Sequence, residues 1–178
     1  MTAEEIEQYC IQFRRGSGDA MLRLYELCNL PLHRFVRFLC RNPAEAADIC
    51  QEVWLRVMRK ITSLQDPRKF QAWLYAIARR ELFRRRGIRE IHADPANWDA
   101  AATGDGAGEF LIRQEMTAAV SHAVENLPLE QKTVLWLAVV DGLSHRDIAR
   151  IAGIPEGTAR SRLHYALETL RQNMEQNQ

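Results

Sequence analysis

Apolar residues recur at three- and four-residue spacing through nearly the whole chain, and nowhere does a clear alternating strand pattern hold. That restricts the fold to amphipathic helices packed on one another, an all-α protein. With 178 residues there is room for one or two small domains, since domains run roughly 100–200 residues. A composition 47% hydrophobic and 26% charged is that of a globular protein and not of a disordered one. The longest apolar runs, such as 135–140, fall far short of the roughly 20 residues a membrane helix needs, so no membrane insertion is expected. Met1–Tyr9 is acidic through Glu4, Glu5 and Glu7, where a secretory signal would be basic and then apolar. A cytoplasmic location is expected.

Start and stop signals divide the helices. Asp19 suits the cap of a segment carrying Leu22, Leu24, Tyr25, Leu27 and Cys28. Pro31 is expected to break or restart it before Leu32, Phe35, Val36, Leu39 and Cys40. Asn42-Pro43 is the next stop. From Ala44 a third segment carries Ile49, Val53, Trp54, Val57 and Met58 on one side, leaving Asp48, Glu52, Arg56 and Arg59 off that stripe. Asp66-Pro67 combines a cap with proline at the first helical position. The helix it opens has Phe70, Trp73, Leu74, Ile77, Ala78 and Leu82 as its inner stripe. It runs into the cluster Arg79, Arg80, Arg84, Arg85, Arg86 and Arg89, and Gly87 is expected to end it.

The formal net charge of +1 hides a division. Residues 1–90 hold 17 Lys and Arg against 11 Asp and Glu, whereas residues 91–125 hold 1 against 6. Residues 91–108 also lose the helical period and contain Gly104, Gly106 and Gly108, the composition of a flexible linker. The expected organisation is a domain over 1–90, an acidic linker over 91–108 and a second domain over 109–178.

In the second domain a helix is expected from about Glu109 to Glu125, and Leu127-Pro128 starts another that Gly142 ends. Ser144-x-x-Asp147 resembles a capping box and opens a short helix with Ile148, Ala149 and Ile151. Gly153 makes the turn, and Pro155 begins a last helix to about Arg171 with Ala159, Leu163, Ala166, Leu167 and Leu170 facing inward. A short helix, a glycine turn and a second amphipathic helix make a helix-turn-helix, whose second helix normally lies in the DNA major groove. Its polar side offers Thr158, Arg160, Ser161, Arg162, His164 and Tyr165, side chains suited to phosphates and base edges.

Cys10, Cys28, Cys40 and Cys50 form no C-x-x-C pair, and Cys28 and His33 stand five apart, a poor fit to ligand spacing on one helical face. Buried thiols are expected, with no metal and no cofactor. Nothing matches a Ser/His/Asp set, a Walker loop or H-E-x-x-H, so no catalytic residue is assigned and the chain is not expected to be an enzyme.

Asp48-x-x-Gln51-Glu52-Val53-Trp54-Leu55-Arg56-Val57, followed by Phe70-x-x-Trp73-Leu74-Tyr75-x-Ile77-Ala78-Arg79, resembles region 2 of bacterial sigma factors. Leu127-Pro128, Asp141-Gly142-Leu143-Ser144, Asp147-Ile148-Ala149 and Gly157-Thr158-Ala159-Arg160-Ser161-Arg162-Leu163 resemble their region 4. With a linker in place of region 3, the chain resembles an extracytoplasmic-function sigma factor from about residue 19 to 172.

The resemblance implies a transcription initiation factor that directs core RNA polymerase to specific promoters. It implies docking on the β′ clamp helices through Asp48, Gln51, Glu52, Leu55 and Arg56, and a second contact with the β flap. By the same likeness, Tyr75, Arg79, Arg80 and Arg84 would hold the downstream (−10) promoter element as it melts. Thr158, Arg160, Ser161, Arg162, His164 and Tyr165 would read the upstream (−35) element. An anti-sigma factor is implied as a further partner. Arg80 departs from the asparagine that many members carry, and Tyr165 from a basic residue, so the base preference stays open. The alternative is a stand-alone two-domain helix-turn-helix regulator, which leaves the Asp48–Val57 motif and the Arg79–Arg89 cluster without a joint role.

Overall fold

The computed structural model describes residues 2–40, 42–88 and 118–175, and the regular elements among them are all helical. The expected linker at 91–108 and the expected helix start near Glu109 lie outside the described residues. The chain divides into two compact units, Met1–Thr103 and Gly104–Gln178.

The first unit contains α1 (Ala3–Arg14), α2 (Gly18–Leu39), α3 (Pro43–Lys60) and α4 (Phe70–Arg85), with single 3-10 turns at Ile61–Ser63 and Pro67–Lys69. Helix α1 is not among the elements expected from the sequence. Its start is a capping box, in which Glu5 N–H donates to Thr2 Oγ1 at 3.2 Å and Thr2 N–H to Glu5 Oε2 at 2.8 Å. Ile6 and Cys10 are its buried anchors.

Helix α2 corrects two expectations. Ser17, not Asp19, stands at its N-cap, and the helix continues through Pro31 to Leu39. Leu24, Cys28, Leu32, Phe35, Val36 and Leu39 form one buried row across the proline. An interior proline costs about 3 kcal/mol, while each buried Leu, Val or Phe returns roughly 1.5–3 kcal/mol, so packing wins. Leu22 and Tyr25, expected on the inner stripe, are 57% and 43% exposed, as is Met58 of α3 at 47%.

The other punctuation is as expected. Asn42 Oδ1 accepts from Ala44 N–H at 2.9 Å, with Pro43 at the first position of α3. Asp66 Oδ1 accepts from Arg68 N–H at 3.1 Å, opening a 3-10 turn that passes into α4. Trp73 and Phe70 are buried. Helix α4 is enclosed on nearly every side, with Tyr75, Ala76, Arg79, Glu81 and Phe83 buried as well as its expected stripe. All four cysteines are buried. Burial pushes the Cys10 and Cys28 thiols up to about 12 and Cys50 to about 11, and raises Cys40.

The second unit contains α5 (Ala118–Asn126), α6 (Leu129–Val139), α7 (His145–Ala152) and α8 (Glu156–Glu175). Leu137, Ile148, Ala159 and Ala166 sit at its centre with essentially no exposure. Lys132 is buried and its Nζ donates to the Glu125 carbonyl at 2.7 Å, closing the last turn of α5 against α6. Leu167, expected inside, is 47% exposed.

Candidate nucleic-acid and polymerase interfaces

The turn between α7 and α8 is built locally. Ser144 Oγ accepts from Asp147 N–H at 3.2 Å and donates to Asp147 Oδ2 at 2.5 Å, half of a capping box with the carboxylate turned onto the hydroxyl. Gly153 ends α7 at φ 63° and ψ 38°, the left-handed conformation that glycine adopts without steric cost. Ile154 N–H donates to the Ala149 carbonyl at 3.0 Å across this turn, which aims α8 away from α7.

On α8, Ala159 and Ala166 press into the core while Arg160, Ser161, His164 and Tyr165 are exposed and Thr158 and Arg162 half-buried. Arg160 is held only loosely, with Nη2 3.5 Å from Glu156 Oε1. Ser161 Oγ donates to the Thr158 carbonyl at 3.1 Å. The Tyr165 ring, 60% exposed, lies 5.7 Å from that of His164. The six residues expected to meet duplex DNA thus share one helix, and four of them are exposed.

Helix α4 divides its four expected residues. Tyr75 is 1% exposed, its ring 4.8 Å from that of Phe35 on α2. Arg79 is 6% exposed, with its guanidinium carbon 4.1 Å from the centre of the Phe83 ring, a cation–π contact. Both are enclosed by the packing of α4 and present little surface. Arg80 is half-buried and Arg84 exposed.

On α3 the expected docking residues fall into a row. Asp48, Gln51 and Leu55 are exposed at helical spacing, and Glu52 and Arg56 are half-buried beside them. Leu55, 39% exposed, and Met58 give the row an apolar component.

Sequence reasoning missed Glu81. Its side chain has 0% exposure, yet Arg56 Nη2 lies 2.6 Å from Oε2. Arg84 donates through Nη2 to Oε1 at 2.5 Å and through Nε to Oε2 at 3.1 Å. Arg85 Nε donates to Oε1 at 3.3 Å. The only sequence signal was the spacing of Glu81 to Arg84 and Arg85 on one helix; Arg56 belongs to another element. Burial opposes ionisation, but the Arg84 hydrogen bonds, the Arg56 charge and the Arg85 hydrogen bond outweigh it and hold the carboxyl below the usual glutamate range. A carboxyl with a lower pKa folded than unfolded stabilises fully above the unfolded value of about 4.3, and the contribution is lost as pH falls through the folded value. The gap in thermal midpoint between the natural protein and Glu81→Gln is therefore expected to be widest near neutrality and to close in acid. A gap unchanged across that range would remove the ion cluster as its cause.

Among the described residues, no group of His, Cys, Asp and Glu could hold a metal ion, and no helix is long and apolar enough to cross a membrane.

Residues 24–87 match the sigma-70 region 2 family and residues 117–170 the sigma-70 region 4 family. The chain is a sigma-70-type protein in which α2–α4 form region 2 and α5–α8 region 4. It is 30% identical to the RNA polymerase sigma-H factor of Pseudomonas aeruginosa, over 96% of this chain and 94% of that one. It is 31% identical to the ECF RNA polymerase sigma factor SigE of Mycolicibacterium smegmatis, over 79% of this chain, and spans 56% of that protein's length. Its fold is similar to the sigma factor RpoE in complex with the anti-sigma factor NepR from Bartonella quintana, with a TM-score of 0.64 and 22% identity over 86% of this chain and 95% of that one. The chain belongs to the extracytoplasmic-function sigma factors, promoter-selecting initiation factors that bind core RNA polymerase.

Proposed function

We propose that the two units divide the work of promoter selection between three surfaces. The exposed side of α8, with Thr158, Arg160, Ser161, Arg162, His164 and Tyr165, reads the upstream element as duplex. Arg80 and Arg84 of α4 hold the downstream element as its strands separate. The α3 row of Asp48, Gln51, Glu52, Leu55 and Arg56 docks on the β′ clamp helices, and the second unit meets the β flap. The observation that carries this is the concentration of solvent-facing polar side chains on α8 directly after a glycine turn, in a chain that also presents an acid, amide and leucine row on α3. A polar row with an apolar member is the composition of a helix-binding surface. Supplying the protein to core polymerase and sequencing the transcripts that appear tests the reading as a whole. Stable duplex binding by the protein alone, with no association with core, would instead make it a stand-alone regulator.

The RpoE–NepR likeness supports an anti-sigma factor as a further partner. On this reading the protein acts in the cytoplasm, where promoters are, and as an initiation factor rather than an enzyme.

The α3 assignment has its own test. Gln51→Ala combined with Glu52→Ala is expected to shift stability by no more than about 0.5 kcal/mol, as surface changes usually do, while binding to core polymerase falls. A double variant that binds core normally, or one that unfolds, removes the docking role.

A further inference from the structure

Glu81 faces neither surface, yet it holds an arginine from each. Arg56 reaches it from α3, beside the docking row, and Arg84 and Arg85 from the next turn of α4. Glu52, one turn before Arg56, also attracts Arg84. With Glu52 counted, two carboxylates against three guanidiniums still leave one surplus positive charge, so the cluster can take a further anion without giving up its own. Arg84 grips Glu81 through its Nε and Nη2 edge, which leaves its Nη1 donors for a second acceptor.

We propose that Glu81 is a positioning residue serving both surfaces: it fixes Arg84 and Arg85 for the phosphates of the opened promoter strand and Arg56 for an acceptor on polymerase. The proposal rests on the assignment of the α3 row and of Arg84 given above, and adds Arg85 to it. An arginine already held in one geometry loses less side-chain freedom on binding than a free one. The opposing effect is that Glu81 neutralises positive charge and so weakens attraction to DNA. The neutralisation is partial, since the cluster keeps a surplus positive charge with Glu81 ionised, whereas losing Glu81 frees all three guanidiniums from their held geometry. Geometry is expected to win.

The test uses the full-length protein and the holoenzyme it forms. Glu81→Gln is expected to weaken both core binding and binding of the holoenzyme to a pre-melted downstream fork by about tenfold, the scale of one lost charge-assisted hydrogen bond. Binding that depends on the upstream duplex should be unchanged. In a background carrying Arg84→Ala and Arg85→Ala, Glu81→Gln should have no further effect on fork binding, whereas a merely structural role would persist there. Where Glu81→Gln lowers the thermal midpoint too far, Glu81→Asp replaces it: the charge is kept, but the shorter side chain cannot span both helices, and fork binding should still fall. Unchanged or tighter fork binding in a folded variant, or an effect that survives in the double-arginine background, overturns the proposal. If Arg84→Ala itself leaves fork binding intact, the α4 assignment fails, and the role of Glu81 fails with it.

Discussion

Tyr75→Ala is expected to destabilise the first unit by about 3–5 kcal/mol, the usual cost of emptying an aromatic site in a core. The ring has 1% exposure and packs at a tilt of 43° against Phe35, so truncation leaves a cavity between α2 and α4. A domain of this size has only about 5–15 kcal/mol in hand. Urea unfolding of the full chain, followed by circular dichroism, should show an early transition that removes part of the helix, while the helices of the second unit persist. A base-stacking Tyr75 would behave differently: the variant would keep its unfolding profile and lose only promoter opening. That result would falsify the buried placement.

The second large effect is expected at the promoter. Arg160→Ala should weaken binding at the upstream element by roughly 1–3 kcal/mol if the side chain meets a base edge. Its loose pairing with Glu156 gives little resistance to that contact. Arg80→Ala should act later, at strand separation, because the partners proposed for it are unstacked bases and their phosphates. Comparing the holoenzymes on an ordinary duplex and on a promoter with a pre-melted bubble separates the two. The bubble should partly rescue Arg80→Ala and leave Arg160→Ala defective on weak upstream sites. Equal defects on both templates would end the division of labour between α4 and α8.

How far these features can be read in advance depends on how local their causes are. The caps at Asn42 and Ser144 are legible because a cap is closed by residues two or three positions away. Gly153 is legible because the left-handed turn is a property of one residue. Pro31 misleads because the burial that holds α2 together comes from α1, α3 and α4, the last two distant in sequence. Helix α4 misleads for a related reason. A stripe is visible only when one face of a helix meets water, and α4 is enclosed nearly all round, so Tyr75 and Arg79 look like surface groups next to Arg80 and Arg84. Glu81 is invisible as a hub because Arg56 lies on a separate helix. The α8 surface is the opposite case: its inward residues are apolar, its outward ones polar, and both follow from the helical period alone.

The two buried alanines of α8 bear on how such a protein changes its promoters. Ala159 and Ala166 are fully buried and anchor the helix, whereas Arg160, Ser161, His164 and Tyr165 face solvent. Substitutions at those four positions are therefore nearly uncoupled from folding, so under the proposed upstream reading by α8 mutation can explore new promoter preferences without passing through misfolded intermediates. The same separation makes α8 a cassette: exchanging its outward side chains for those of a relative should transfer sequence preference while the scaffold and its polymerase docking stay in place.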